Sequence, residues 1–167
     1  MYSEHIFSYF SQNQHLALIL RPHPLFFPRM RNEGIFSEQQ ELEFRANIDN
    51  YPNVVLDENS DYHASFNLSD ALMTDAGSFL MEYLPTKKPI LYLENSNGPG
   101  LNEEGSIVEA YYTGRNLADI NQFLEMITNE QDPLQSKRLS QINEFLYKVD
   151  GKSGQRIKEH IVANLCK

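Results

Sequence analysis

The sequence predicts an α/β domain: a parallel sheet of about four to six strands, flanked by helices and followed by a helical tail. Three observations carry that expectation. Short apolar runs recur along the 167 residues, and they are continuous rather than alternating, as in strands covered on both faces. Segments of helical periodicity separate these runs. Beyond residue 130 only helical patterns follow, so residues 1–130 read as the sheet domain and residues 131–167 as helices packed on it.

The elements follow in order. Met1 leads directly into a helix-like segment. Leu16-Ala17-Leu18-Ile19-Leu20 is the first strand, closed by Arg21-Pro22. Glu38 to Asn50 is a helix with Leu42 and Ala46 on its apolar side. Val54-Val55-Leu56 is a second strand, between Pro52-Asn53 and Asp57. Ala71-Leu72-Met73 is a third, ending at Thr74-Asp75, and Ser78 to Leu84 is the helix after it. Pro89-Ile90-Leu91-Tyr92-Leu93 is a fourth, running into the turn-forming loop Glu94–Gly100. Ala110-Tyr111-Tyr112-Thr113 is a fifth, weaker strand. Leu117 to Thr128 carries an apolar stripe of Leu117, Ile120, Phe123, Leu124 and Ile127. Asp132-Pro133 opens the next helix as cap and first-turn proline, with Leu139, Ile142, Phe145 and Leu146 on its stripe. Lys152 to Leu165 is the last, with Ile157, Ile161, Val162 and Leu165. A Rossmann-like domain opens with a strand whose loop touches the ligand. This chain reads as one that lacks that opening strand.

Composition narrows the classes. With 10 Phe and 9 Tyr the chain is not a disordered one. No apolar stretch approaches the roughly 18 residues of a membrane span, and no secretory leader is legible, so a cytoplasmic location is expected. The single cysteine, Cys166, rules out an internal disulfide framework and a cysteine-based zinc site. His5, His15, His23, His63 and His160 show no metal-ligand spacing. Neither a metal nor a cofactor is expected. The net charge of −9 argues against a nucleic-acid partner. The charge is uneven: residues 134–167 hold 7 Lys and Arg against 3 Asp and Glu. That basic tail is either a solvated helical face or a contact for an anionic membrane surface.

In an open parallel sheet the ligand lies at the carboxyl ends of the strands. The residues there are Arg21-Pro22-His23-Pro24, Asp57 to Tyr62, Thr74-Asp75-Ala76-Gly77-Ser78 and the Glu94–Gly100 loop. Gly77 permits a tight turn, and Ser78 begins a helix whose free N–H groups suit a phosphate. Ordinary capping by Thr74, Asp75 or Ser78 fits the same residues. Arg21 and His23, two apart, both donate to phosphate oxygens, and a histidine is able to protonate a leaving group near neutral pH. A surface turn with two polar residues is the other reading. Glu82 lies one helical turn after Ser78, suited to ribose hydroxyls or to plain solvation. No P-loop, no G-x-G-x-x-G and no G-x-S-x-G is present.

Arg21-Pro22-His23-Pro24, Asn53-Val54-Val55-Leu56, Ser69 through Ser78, Glu82 and Lys88-Pro89-Ile90 together resemble the C-terminal half of the CDP-glycerol glycerophosphotransferase family, the teichoic-acid-type polymerases and primases. The likeness covers about residues 15–93 well and the tail loosely. It implies a GT-B fold with the nucleotide donor in the C-terminal Rossmann-like domain. It implies that His23, the catalytic candidate, and Arg21 face the donor diphosphate. Gly77 and Ser78 would hold its phosphates, Glu82 its ribose or hydroxyls, and Thr74 and Asp75 would shape the rim. Ala76 and Gly77 stand where the family shows an aromatic residue and a serine, which leaves other nucleotide donors open. The expected partners are a nucleotide diphosphate donor and an N-terminal acceptor domain that the sequence lacks. The implied activity moves glycerol phosphate or a sugar to a cell-surface polymer, with the isolated chain expected to turn nothing over. A stand-alone α/β binding module and half of a nucleotide-sugar epimerase are the rival readings.

Overall fold

The computed structural model describes residues 3–95, 103–146 and 148–165. The chain divides into two compact units, Met1–Ser69 and Asp70–Lys167. That division falls inside the stretch read from sequence as one sheet domain.

The first unit runs α1 (Ser3–Gln12), β1 (Leu18–Leu20), α2 (Phe26–Asn32), α3 (Glu38–Ile48), β2 (Val54–Leu56) and α4 (His63–Leu68). β1 and β2 pair in parallel, with Leu18 opposite Val54 and Leu20 opposite Leu56. The core is largely aromatic. Phe7, Phe10, Phe27 and Phe66 are buried with Ile48 and Val54. Phe7 lies 5.3 Å from Tyr51 and 6.2 Å from Phe44, ring centre to ring centre. Asn53 ties this core to the chain ahead of β1, donating from Nδ2 to the carbonyls of Phe10 and Leu16 at 2.8 Å each.

α3 starts where chemistry asks it to. Ser37 accepts from the Gln40 N–H and the Gln40 side chain returns a bond to the Ser37 N–H, a reciprocal capping box. The inward face differs from the expected one. Leu42 is 57% exposed and Ala46 is exposed, whereas Glu41 and Ile48 are buried. The inward face is the one that carries Phe44, packed on the rings of Phe7, Phe27 and Phe36, and Ile48; beside them Arg31 and Arg45 both donate to the Glu41 carboxylate, and Arg45 lies 4.3 Å above the Phe27 ring. Packing Phe44 and burying Ile48 outweighs burying Leu42 and Ala46, and the two guanidinium partners let Glu41 be buried with them. α2 and α4, at 7 and 6 residues, are too short to show periodicity in sequence.

The second unit runs β3 (Leu72–Thr74), α5 (Gly77–Tyr83), a 3-10 turn (Leu84–Thr86), β4 (Ile90–Leu93), a 3-10 segment (Glu103–Ala110), β5 (Tyr112–Gly114), α6 (Leu117–Thr128), α7 (Gln135–Phe145) and α8 (Ser153–Leu165). Its strands form a parallel sheet in the order β3-β4-β5. Leu80, Tyr83, Leu84, Ile90, Leu91, Ile120 and Phe123 form the centre of its core. The fifth strand begins two residues later than expected. Ala110 ends the 3-10 segment, and Tyr111 is buried, donating its hydroxyl to the Leu80 carbonyl at 2.8 Å.

Asp132 does not cap α7, which begins at Gln135 with Leu134 at the cap position and no side-chain bond there. Its carboxylate instead accepts from the Tyr112 hydroxyl at 2.9 Å and from Arg138. Arg138 is fully buried, and its Nε donates to the Lys87 carbonyl at 3.1 Å. α7 thus packs through Arg138 and Ile142, while α8 buries none of its residues. No helix among the described residues is long and apolar enough to cross a membrane. The class read from sequence, parallel strands flanked by helices, is the class observed.

Candidate functional site

In the first unit the loops after β1 and β2 are bound to each other by Arg21. Its Nη1 donates to Asp57 Oδ2 at 2.5 Å and its Nη2 to the Asn59 carbonyl. Asp57 is 7% exposed and is further satisfied by the Ser65 hydroxyl and by the Asn59 N–H and Nδ2, at 3.1 and 2.7 Å. These donors, the Ser65 hydroxyl foremost, hold the Asp57 carboxyl well below the usual carboxylate range despite its burial. Arg21 is therefore a fastener of this edge.

His23 shares the loop after β1 and is exposed. Its Nδ1 accepts from the Leu25 N–H at 3.1 Å. A ring nitrogen that accepts from an amide carries no proton, so neutral His23 carries its proton on Nε2. That makes it a hydrogen-bond donor to an anion.

In the second unit β3 delivers Thr74, which is buried, and its hydroxyl accepts from the Ala76 N–H at 3.0 Å to close the turn. Asp75 is exposed on that turn. α5 follows with Ala76 at its cap position in extended conformation; that residue makes no side-chain bond to the helix, and the cap position itself is held by none of Thr74, Asp75 and Ser78. Gly77 enters the helix without a positive φ, so the turn does not depend on left-handed backbone. Gly77 and Ser78 are exposed at the helix start, and Glu82 is exposed one turn later.

Further along the same sheet edge, Glu94 follows β4 and Arg115 follows β5. Arg115 Nε donates to Glu94 Oε2 at 2.5 Å. This cation at a strand end was legible in Thr113-Gly114-Arg115 but was not singled out. Asp61 lies in the stretch Asp57 to Tyr62 read as following the second strand, and His63, weighed only as a metal ligand, comes just after it. The loop read as Glu94–Gly100 lies outside the described residues beyond Asn95, as does Cys166. A groove of about 370 Å³ runs along α6, lined by Tyr112, Thr113, Asp119, Phe123 and Met126, and it contains none of the predicted site residues. Thr113 and Asp119 put one end of it beside the end of β5, where Asp119 accepts from the Arg115 N–H at 2.8 Å. No group of three or more possible metal ligands occurs among the described residues.

The structure thus gathers Arg21 and His23 in one loop of the first unit. It gathers Thr74, Asp75, Gly77, Ser78 and Glu82 at one strand-to-helix junction of the second. Comparison with curated proteins and with solved structures finds no match. Comparison with family profiles finds one, described as CDP-Glycerol:Poly(glycerophosphate) glycerophosphotransferase, over residues 2–163. A match over nearly the whole chain, on a parallel α/β framework of the kind the resemblance implied, shows that the chain belongs to the CDP-glycerol:poly(glycerophosphate) glycerophosphotransferase family, whose members are donor-to-acceptor transferases.

Proposed function

We propose that this chain is the part of a glycerophosphotransferase that takes the nucleotide diphosphate of the donor. Groups of matching chemistry occur in each unit taken by itself. In the second, the start of α5 at Gly77 and Ser78 supplies N–H groups and a hydroxyl to phosphate oxygens, and Glu82 accepts from ribose hydroxyls. In the first, His23 donates from Nε2, and Arg21 keeps its loop in place while lending positive charge.

The observation that carries this reading is the start of α5. It is exposed at the carboxyl end of β3, and its cap residue, Ala76, makes no side-chain bond to it. When the donor is cleaved, the acceptor hydroxyl oxygen bonds to the β-phosphorus and gives its proton to solvent, and the bond from that phosphorus to the bridging oxygen breaks, releasing the nucleoside monophosphate. Negative charge grows on the departing nucleotide, and donors aimed at it stabilise the transition state. His23, donating a hydrogen bond from Nε2, is one of those donors.

Calorimetric titration of the chain with CDP, UDP and GDP tests the reading. Binding of CDP is expected, weakened about tenfold in Ser78→Ala and in His23→Ala, the size of a hydrogen bond to a charged group. No heat and no chemical-shift change with any of the three would remove it.

A further inference from the structure

A second imidazole stands at the carboxyl end of the first unit's strands, and its chemistry is opposite to that of His23. His63 opens α4, just after β2. Its Nδ1 lies 2.6 Å from Asp61 Oδ1, and the same oxygen accepts the His63 N–H at 2.9 Å. An ionised carboxylate only accepts, so the ring nitrogen facing it must be the one that carries the proton. Asp61 is held ionised: the His63 N–H first, then the ring, and also the charge of Arg21, keep its carboxyl below the usual range. Neutral His63 therefore has Nδ1–H turned to Asp61 and a bare lone pair on Nε2.

The ring is also fixed in plane. Tyr62 stacks on it at 4.6 Å with 17° between the rings, and Tyr62 in turn packs on Phe66, which is buried. Yet the His63 side chain is 72% exposed. An exposed histidine normally keeps its rotamer freedom, and here that freedom is given up to hold one tautomer in one orientation. A local turn made by Asp61 accounts for its bond to the His63 N–H. It does not account for the bond to the ring, nor for the stacked tyrosine.

We propose that His63 is a hydrogen-bond-accepting contact for the nucleoside of the donor, taking a ribose hydroxyl or the exocyclic amine of the base on Nε2, while His23 donates to phosphate. This rests on the donor reading above and extends it. The two imidazoles divide the ligand by polarity: one suits an acceptor oxygen, the other a donor hydrogen.

Nitrogen-detected NMR of the imidazoles in the full chain, above the histidine titration range, tests it in two steps. Without ligand, His23 is expected in the Nε2–H form and His63 in the Nδ1–H form, and Asp61→Asn is expected to abolish the preference at His63, since an amide offers either polarity. Finding wild-type His63 in the Nε2–H form would overturn the proposal. Next, CDP is expected to shift the nitrogens of both rings, and inorganic pyrophosphate those of His23 alone. Ribose 5-phosphate shifting His63 assigns the contact to a hydroxyl; a shift with CDP but with neither ribose 5-phosphate nor UDP assigns it to the amine. His63→Phe, which keeps the stack and removes the acceptor, is expected to weaken CDP about fivefold and pyrophosphate not at all. CDP that shifts His23 and leaves His63 unmoved overturns this inference alone. CDP that moves neither ring removes the donor reading together with it.

Discussion

Asp57 collects hydrogen bonds from Arg21, Asn59 and Ser65 while nearly closed off from water, and so joins the loops after β1 and β2. Removing it leaves the Arg21 guanidinium, 14% exposed, without its counter-charge. Asp57→Ala is expected to cost about 3 kcal/mol, read as a lower urea midpoint. The same bonds set a pH dependence. A carboxyl whose folded-state pKa is lowered contributes stability that is fully present above its unfolded value, near pH 4. That stability is lost as pH falls from there toward the folded value. Ser65→Ala removes the largest contributor, so it is expected to flatten the acid limb of the stability curve while changing little near neutrality beyond one hydrogen bond. In sequence, Asp57 was legible only as one of several polar residues after a strand. Its role depends on Ser65, eight residues on, and on Arg21, thirty-six residues back, partners that no local pattern announces.

At the scale of elements, strands were the easier reading. Val54–Leu56 is observed with the bounds its flanking Asn53 and Asp57 suggest, and α6 spans Leu117–Thr128 as its stripe does, opened by Asn116, which accepts from the N–H groups of Ala118 and Asp119. α3 shows how a partial pattern misleads: Leu42 and Ala46 are exposed, and the inward face is that of Phe44 and Ile48, four apart, with Glu41 buried beside them between two arginines. The Ser37 capping box sits at an exposed helix start, so Ser37→Ala is expected to cost about 1 kcal/mol, measurable as a shift of the urea midpoint. At the end of β5, a Cβ on Gly114 would meet the Leu93 and Leu91 side chains at 3.2 and 3.3 Å. Those are the ends of flexible chains in a packed sheet, so Gly114→Ala is expected to cost about 1 kcal/mol by thermal melting rather than to prevent folding. The junction Thr74–Ser78 was readable as a strand followed by a helix, but not with Ala76 at the cap position, because Thr74, Asp75 and Ser78 are each better capping types.

For the molecule as a whole, the family and the α/β class were readable from short stretches of sequence, because strand ends in this architecture carry both turn chemistry and ligand chemistry. The two-unit division was not, since apolar runs announce strands without saying which of them pair. If the chain takes a nucleotide diphosphate, folding and binding are linked. CDP at about a hundred times its Kd is expected to add about 2.7 kcal/mol of stability, seen as a rise of several degrees in Tm, and pyrophosphate a smaller rise.

α8 has a consequence of its own. Ile157, Ile161, Val162 and Leu165 all face water, at 61, 49, 53 and 79% exposure. With no burial to reward its coiling, a segment of 13 residues has only its own backbone bonds to keep it wound, and that is marginal in water. Its amides should exchange with solvent far faster than those of α6, and a protease should clip ahead of Ser153 before it touches the sheet. Ending the chain at Lys152 should then leave the melting of the remainder where it was.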